Sequence, residues 1–297
     1  MQGPFVTMQM ALVLMIFAKC VTFWSFKVSL YLGMLDYPGG RMRRIPMFIL
    51  ALLLSFCVSG YEKETKQEVF FAWMDGYVAD EAKKENSISL ILYFTKKNAP
   101  FTAGSVSSLE LVGIENEVVI TDFKVLNNAN ACSDDGEYSS YEIILTYQCL
   151  GQGIFETDRI LLHFYDGSDV EYKIGNWIFD IGGKGTDLLD LQESPTNISD
   201  AARFDYIYSL SDANIKITKI WVGNQNPSAD NAGIPTAGSI GLDSEAPVKF
   251  VKAKIELQKD GQTYIAYARG CYSGAYDYNE EAIQVFKEYA TTNKTLQ

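Results

Sequence analysis

Three acidic residues surround a glycine in the segment SDDGE: Asp134, Asp135 and Glu137. Carboxylate oxygens held together on a short loop are the ligands that Ca²⁺ prefers in proteins. The spacing differs from that of an EF-hand loop, and a solvent-exposed acidic turn has the same composition. The sequence therefore predicts a calcium site at these three residues, with an ordinary acidic turn as the alternative.

The chain contains a single histidine, His163. One histidine excludes multi-histidine metal sites and leaves at most one Ser-His-Asp triad. No G-x-S-x-G nucleophile motif accompanies it. Alternation in the segment RILLHFYDG places His163 on the same strand face as Leu161 and Tyr165. We therefore expect His163 to be a structural strand residue.

Paired carboxylates can hydrolyse glycosidic bonds without any histidine. The 37 Asp and Glu residues supply many candidates, but their abundance singles out no pair. No glycine-rich phosphate-binding motif occurs, so nucleotide binding has no support. The sequence predicts a non-enzymatic protein without a cofactor, unless the acidic turn at Asp134, Asp135 and Glu137 binds Ca²⁺. The alternative is a carboxylate-dependent hydrolase acting on carbohydrate.

Cysteines allow one disulfide in the body of the chain. Cys132 and Cys149 flank a polar loop and a strand, and an exported protein can keep a bridge between them. Cys271 then has no partner. Neither a C-x-x-C pair nor a Cys/His cluster is present, which argues against structural zinc.

Residues 42–60 have the anatomy of a signal peptide. Arg43 and Arg44 precede an apolar run that ends in small residues. The run is shorter than the ~20 residues that a membrane span needs. The segment LSFC resembles a bacterial lipobox, except that Phe56 replaces a small residue. Two outcomes stay open, namely lipidation of Cys57 and ordinary cleavage after Gly60.

Residues 1–41 are apolar but carry Lys19 and Lys27. Their last residues, followed by Met42, can be encoded by a purine-rich ribosome-binding sequence just before an ATG codon. We therefore predict that Met42 is the initiator and that residues 1–41 result from a start codon placed too early. The alternative is a hydrophobic anchor that holds the chain at a membrane.

The net charge of the chain is −12. Residues 1–60 contain only one acid, Asp36, so the acidic character belongs to the rest of the chain. A surface of this sign repels phosphate backbones, which argues against nucleic-acid binding. We expect an exported protein, extracellular or in the cell envelope, whose partner is an extracellular protein or a glycan. The membrane is a further partner through the N-terminus.

Alternating apolar residues predict β-strands through most of residues 68–270. The segment DRILLHFYDGSDVEYKIGNWIFDI is typical of a hairpin that turns at Asp166 and Gly167. The segment SVSSLELVGIENEVVITDFKVLNN predicts a hairpin or two strands joined by a short loop. Near the C-terminus, NEEAIQVFKEYA has helical spacing, with Asn279 as its cap.

Turn and glycine signals divide the chain into a first β-sandwich domain (61–182), a linker (183–202) and a second β domain with a C-terminal helix (203–297). A single domain is the alternative. Trp73, Trp177 and Trp221 are candidates for stacking on a sugar or anchoring a protein partner, although core packing is their commoner role.

The strand pattern and the hairpin FYDGSDVEYKIGNW resemble the immunoglobulin-like β-sandwich modules of exported or lipoprotein-like bacterial envelope proteins. The resemblance covers about residues 68–270. It implies a mainly β fold of one or two antiparallel sandwiches, with a binding, adhesion or scaffold role. The Cys…Trp…Cys core of antibody domains is absent, and no site residue carries over from the resemblance.

Overall fold

A computed structural model describes the parts of the chain that follow: residues 68–96, 99–128, 136–193, 196–198, 202–223, 227, 233–242, 246–274 and 280–292. In these parts the chain forms four β-sheets and one α-helix. None of the helical segments described there has the length and apolar character that a membrane span requires.

Sheet A has four antiparallel strands, in the order β1 (Val69–Phe71), β3 (Glu85–Thr95), β6 (Tyr138–Cys149) and β5 (Val118–Asn127). Its longest pairing joins β3 to β6 from Glu85 to Thr95. Alternation in β3 places Leu90 and Leu92 on one face, and both are buried. Ile91 and Tyr93 on the opposite face are buried as well, so both faces of this half of β3 are covered.

Sheet B has seven strands, in the order β10 (Asn197–Ile198), β17 (Cys271–Gly274), β14 (Val248–Lys252), β2 (Met74–Glu81), β8 (Asp169–Gly182), β7 (Gly153–Phe164) and β4 (Val106–Leu111). Strand β2 pairs in parallel with both β8 and β14. Sheet B is therefore mixed, whereas the sequence predicted antiparallel sheets. Parallel pairing needs a long crossover connection, and the long stretches of chain between β2, β8 and β14 provide it.

Sheets A and B stack into one sandwich, the main sandwich, around a shared apolar core. Its largest fully buried side chains include Trp177 and Phe179 from sheet B and Tyr93 and Tyr147 from sheet A. Aromatic contacts cross between the sheets, as between Tyr147 and Phe179, whose ring centroids lie 5.6 Å apart. The structure confirms the mainly β fold and the sandwich arrangement.

A second core lies between two three-stranded sheets. Sheet C comprises β9 (Leu189–Glu193), β11 (Arg203–Leu210) and β13 (Ala237–Gly241), and sheet D comprises β12 (Lys216–Trp221), β15 (Lys254–Lys259) and β16 (Gln262–Tyr267). Phe204, Ile220 and Ile255 are completely buried there. Val251 of sheet B joins this second core, because alternate residues of β14 face opposite sides of its sheet.

Helix α1 (Glu280–Thr292) packs on the main sandwich. Ile283 and Phe286 are buried in its core, and the Phe286 ring stacks on Tyr93 at 6.0 Å. Lys287 Nζ lies 2.6 Å from a carboxylate oxygen of Glu68, just before β1. The predicted C-terminal helix is confirmed, although its predicted cap, Asn279, lies outside the described residues.

The predicted hairpin at Asp166 and Gly167 is also confirmed, since β7 and β8 pair as antiparallel neighbours. Gly167 adopts φ +85°, a left-handed conformation that glycine accepts without steric cost. The segment SVSSLELVGIENEVVITDFKVLNN forms strands β4 and β5. These are two strands joined by a short loop and not a hairpin. They pair in different sheets, so the chain crosses the sandwich between them.

Strand pairing crosses the predicted domain boundary. Residues 183–202, predicted as a linker, contain β9 and β10. From residues 203–297, the predicted second domain, β14 and β17 pair within sheet B, and α1 packs on the main sandwich. The division into two domains stays a prediction, but neither core is built from one continuous stretch of sequence.

Candidate functional site

The predicted calcium ligands fall mostly outside the described residues. Asp134 and Asp135 lie there, while Glu137 is exposed just before β6. In the part of the chain that the structure describes, no three His, Cys, Asp or Glu side chains are grouped as a metal site requires. The calcium site at these residues stays a prediction.

The structure likewise leaves two of the predicted cysteine sites undescribed. Cys57 and Cys132 lie outside the described residues, so lipidation and the Cys132–Cys149 bridge stay predictions. Cys149 is a buried thiol between the sheets of the main sandwich and is not bridged in this structure. Burial, together with the nearby Asp80 carboxylate, raises the pKa of the Cys149 thiol to about 12. This cysteine is therefore protonated and unreactive at neutral pH.

His163 lies between two carboxylates on neighbouring strands. Its Nδ1 is 2.7 Å from an oxygen of Asp169 on β8, and its Nε2 is 3.5 Å from an oxygen of Glu110 on β4. The adjacent hydroxyl of Ser107 donates to the His163 carbonyl oxygen. These contacts are cross-strand pairs that join β4, β7 and β8.

The three candidate tryptophans have different surroundings. Trp177 is 1% exposed and stacks on Phe250 in the main sandwich. Trp73 is also buried and contacts the Tyr289 ring of helix α1. Trp221 alone of the three is partly exposed, at the end of β12 on the face of sheet D away from the second core. It is the tryptophan that a ligand can reach.

Strand register places Trp221 in a row with two other side chains. Trp221 of β12 pairs with Lys254 of β15, and Lys254 pairs with Tyr267 of β16. Directly opposed residues on adjacent antiparallel strands have neighbouring side chains on the same face. The outer face of sheet D therefore presents an aromatic–cation–aromatic row.

Lys254 is held in place from two sides. Its ammonium group forms an ion pair with Asp180 of β8 and lies 5.0 Å from the centre of the Trp221 ring. Tyr77 donates a hydrogen bond to the same Asp180 carboxylate at 2.7 Å. Lys219 lies 4.6 Å from the Trp221 ring centre. These cation–π contacts and the ion pair fix the orientation of the indole.

The glycine-rich segment after β8 closes one side of the row. A Cβ on Gly182 would lie 2.2 Å from the hydroxyl oxygen of Tyr267, and one on Gly185 would lie 3.0 Å from its ring. The Tyr267 hydroxyl donates to the Gly183 carbonyl oxygen at 2.9 Å. Glycines are therefore needed here because the Tyr267 ring lies directly on the backbone. The segment is an ordered wall of the site.

Together these residues form a cleft of about 640 Å³, which we name the aromatic cleft. Its walls are the row Trp221–Lys254–Tyr267, residues 182–186, and β16 from Thr263. Burial, followed by the nearby Asp180 carboxylate, raises the pKa of Tyr267 to about 12, so its hydroxyl is neutral. The cleft offers flat apolar ring faces beside hydrogen-bond donors and backbone carbonyls, which suits an amphipathic ligand.

No family model matches the sequence, and neither does any curated protein. Among solved structures, the chain is similar to the tandem Ig repeats of Dlar, with 12% identity and a TM-score of 0.19, covering 69% of this chain and 95% of that one.

Two bacterial structures are also similar. The Bacteroides ovatus mixed-linkage glucan utilization locus SGBP-B, in complex with a mixed-linkage heptasaccharide, has 16% identity and a TM-score of 0.20, covering 62% of this chain and 40% of that one. The sialic acid binding region of the Streptococcus sanguinis SK1 adhesin has 8% identity and a TM-score of 0.21, covering 69% and 78%. Similarities at this level identify neither a site nor a function for this chain.

The sequence indicated Trp221 but not its neighbours. For Tyr267 and Lys254 the sequence predicts only that they lie in β-strands. Their position in the site depends on the register between β12, β15 and β16, and no local signal encodes that register. Gly182 and Gly185 belong to a visible cluster of glycines, a pattern that indicates either a linker or an ordered loop.

Proposed function

We propose that this protein is an exported, non-enzymatic β-sandwich protein that binds a glycan in its aromatic cleft. The observation that carries the proposal is the row Trp221–Lys254–Tyr267 on the outer face of sheet D. Two aromatic rings with a cation between them can contact the apolar C–H face of a sugar and its hydroxyl groups at the same time.

The size and rigidity of the cleft support a small ligand. A volume of about 640 Å³ lies within the range of sites for small molecules, about 300–1,000 Å³. The Tyr267 ring is held by Gly183, and Lys254 by Asp180. A site that is ordered before binding loses less entropy when the ligand arrives. A short stretch of oligosaccharide fits these conditions.

The alternative of a carbohydrate hydrolase has less support at this site. Glycoside hydrolysis uses two carboxyl groups about 5–10 Å apart. The described residues that line the aromatic cleft carry no carboxylate. Two carboxylates contact the lining: Asp180 is engaged by Lys254 and Tyr77, and Glu81 accepts a hydrogen bond from the backbone N–H of Gly185 at 3.1 Å. Binding without catalysis is therefore the function that these side chains support best.

Export is the second part of the proposal and rests on residues 42–60. Signal-peptide anatomy there predicts a mature chain that begins near Val58 or Tyr61, or at a lipidated Cys57. Mass spectrometry of the N-terminal peptide from the protein's natural host distinguishes these outcomes. Recovery of a mature chain that begins at Met1 would contradict Met42 as initiator.

Titration calorimetry tests the glycan site, with the full chain and a panel of neutral and acidic oligosaccharides. We expect at least one saccharide to bind, and Trp221→Ala to weaken that binding at least tenfold. Tyr267→Ala should weaken it similarly. The control is Tyr165→Ala at the β7–β8 turn, because Tyr165 has the most exposed aromatic side chain of the described residues, at 76%, and lies outside the cleft.

The proposal has clear contrary outcomes. If no saccharide binds, or if Trp221→Ala and Tyr165→Ala bind like the unmodified protein, the aromatic cleft is not the glycan site. Release of a shortened saccharide during the titration, detected by mass spectrometry, would instead favour the hydrolase.

A further inference from the structure

A second cleft lies where the main sandwich opens between sheets A and B. Its walls come from β3 and β6 of sheet A, from β14 and β17 of sheet B, and from the connection between β16 and β17. It encloses about 610 Å³, again within the range of small-molecule sites. Three cationic side chains line it, Lys84, Lys252 and Arg269, so we name it the cationic cleft.

Two of these cations have no counter-ion in the part of the chain that the structure describes. Lys84 and Arg269 are both exposed, and neither forms an ion pair with a described residue. The third, Lys252, lies deeper and is paired with Asp80 at 2.7 Å. The chain has a net charge of −12, so an anion meets favourable charge at these two cations and not at the acidic side chains that predominate in the sequence.

An unpaired hydrogen-bond donor lies in the same cleft. The Nδ2 atom of Asn86 is buried and has no hydrogen-bond partner within the described structure. A buried donor without an acceptor costs about 1–3 kcal/mol, so most such donors have a partner. A ligand that brings acceptor oxygens into the cleft would provide one.

Two acceptor side chains of the lining take part in hydrogen bonds within the protein. Glu142 is the one carboxylate among the described lining residues, and it accepts a hydrogen bond from Ser89 Oγ at 2.5 Å. The carbonyl oxygen of the Gln192 side chain accepts from the backbone N–H of Arg269 at 2.8 Å, which also fixes that connection. The cleft therefore has an excess of donors and positive charge.

Repulsion between the cations also favours an anionic ligand in this cleft. Burial, and to a smaller degree the nearby ammonium group of Lys84, lowers the pKa of Lys252, although Asp80 opposes this change. Lys84 is thus close enough to Lys252 to repel it. An anion bound between Lys84 and Arg269 would relieve that repulsion.

Three of the remaining lining residues are aromatic, Phe250, Tyr267 and Tyr272; Phe250 is 5% exposed, and the two tyrosines are partly exposed. Phe250 and Tyr272 pack with ring centroids 4.9 Å apart, and the Tyr272 hydroxyl bonds to the backbone N–H and carbonyl of Ser89. A sugar ring can lie against such a surface while its acidic group reaches the cations. Inorganic anions would use the cations without the aromatic wall.

We infer that the cationic cleft binds a small carboxylate-bearing sugar of the hexuronate class, with Arg269 and Lys84 contacting its carboxylate. Arginine and lysine suit this role because charge-assisted hydrogen bonds to carboxylates are the stronger ones. The cationic cleft shares Tyr267 with the aromatic cleft, but its cations line only the cationic cleft, and the inference does not depend on glycan binding in the aromatic cleft.

The test is titration of the full chain with glucuronate, with glucose and inorganic phosphate as comparison ligands. We expect glucuronate to bind and glucose to bind at least tenfold more weakly. Arg269→Gln and Lys84→Gln should each weaken glucuronate binding at least tenfold. Lys124→Gln removes the same charge from the exposed strand β5 and should leave binding unchanged. Thermal melting confirms that each exposed substitution leaves the fold intact.

Trp221→Ala separates the two sites, because glucuronate binding should persist in that variant whether or not it binds other glycans. Equal binding of glucuronate and glucose would overturn the inference, as would unchanged binding in Arg269→Gln. Binding of phosphate but not glucuronate would assign the cleft to inorganic anions and would also overturn it.

Discussion

The ammonium nitrogen of Lys252 lies 2.7 Å from the Oδ2 atom of Asp80, between the two sheets of the main sandwich. Asp80 is 1% exposed and also accepts hydrogen bonds from the Tyr147 hydroxyl and the Glu81 backbone N–H. Two charges thus lie inside an apolar core, each compensated by the other. Burying such a pair requires desolvation free energy, but removing one partner destabilises the fold further, because it leaves the other charge buried and unpaired.

We therefore predict that Lys252→Met lowers the free energy of unfolding by about 3–5 kcal/mol, because it leaves the Asp80 charge buried and unpaired. The double variant Asp80→Asn/Lys252→Met should be closer to the unmodified protein. Urea unfolding measures both. Lys259→Met is the control, since its ion pair with Asp212 lies at the surface, where solvent screening leaves it little effect on stability. Equal losses for Lys252→Met and the control would contradict the prediction.

The close approach of Trp177 to the backbone of β2 gives a second prediction. A Cβ on Gly76 would lie 2.1 Å from the Cε3 atom of the Trp177 ring. Gly76→Ala must displace this buried indole, and we expect a loss of about 1–3 kcal/mol or more. The near-ultraviolet circular dichroism of tryptophan should change with it. Gly104→Ala, where a Cβ meets no atom within 4 Å, should alter stability by less than about 0.5 kcal/mol.

Alkaline pH should destabilise the protein through its buried thiols. Burial, followed by the nearby carboxylates Asp80 and Asp205, raises the pKa of Cys149 and Cys271 to about 12, from an ordinary value of 9.0. Between these values the folded chain keeps protons that the unfolded chain has lost. The stabilisation is complete below about pH 9 and falls as pH rises, by about 1.4 kcal/mol per pH unit for each thiol.

Urea unfolding from pH 8 to 11, with a reductant present, measures this decline. The Cys149→Ala/Cys271→Ala variant should show a shallower slope. Lys252 acts in the opposite direction, because burial lowers its pKa and its unfavourable charge is removed as pH rises. A slope that is the same in the variant and in the unmodified protein would show that other groups control alkaline stability.

Calcium provides a fourth prediction, although two of its three proposed ligands lie outside the described residues. If Asp134, Asp135 and Glu137 bind Ca²⁺, adding Ca²⁺ after EDTA treatment should raise the melting temperature, because the ion binds only the folded chain. Asp134→Asn/Asp135→Asn should abolish the increase. Asp166→Asn changes another acidic turn and should keep it. No heat on calorimetric titration and no change in melting would remove the calcium site.

Much of the secondary structure could be predicted from the sequence, because strand and helix periods are local. Alternation along β3, the Asp-Gly turn before β8 and the helical spacing of α1 each depend on neighbouring residues alone. Local signals leave residues 183–202 open between a linker and an ordered loop. A glycine cluster indicates close backbone approach as well as a linker, and only the position of Tyr267 shows which meaning applies.

The sequence alone determined that this chain is mainly β, acidic and preceded by a signal-like segment. The tertiary structure decided which side chains meet. Trp221, Lys254 and Tyr267 come from three strands, and a shift of one residue in either pairing would turn a member of the row to the opposite face. Lys84 and Arg269, 185 positions apart in numbering, likewise share a cleft only because β14 pairs with β2 and brings the C-terminal strands to the main sandwich.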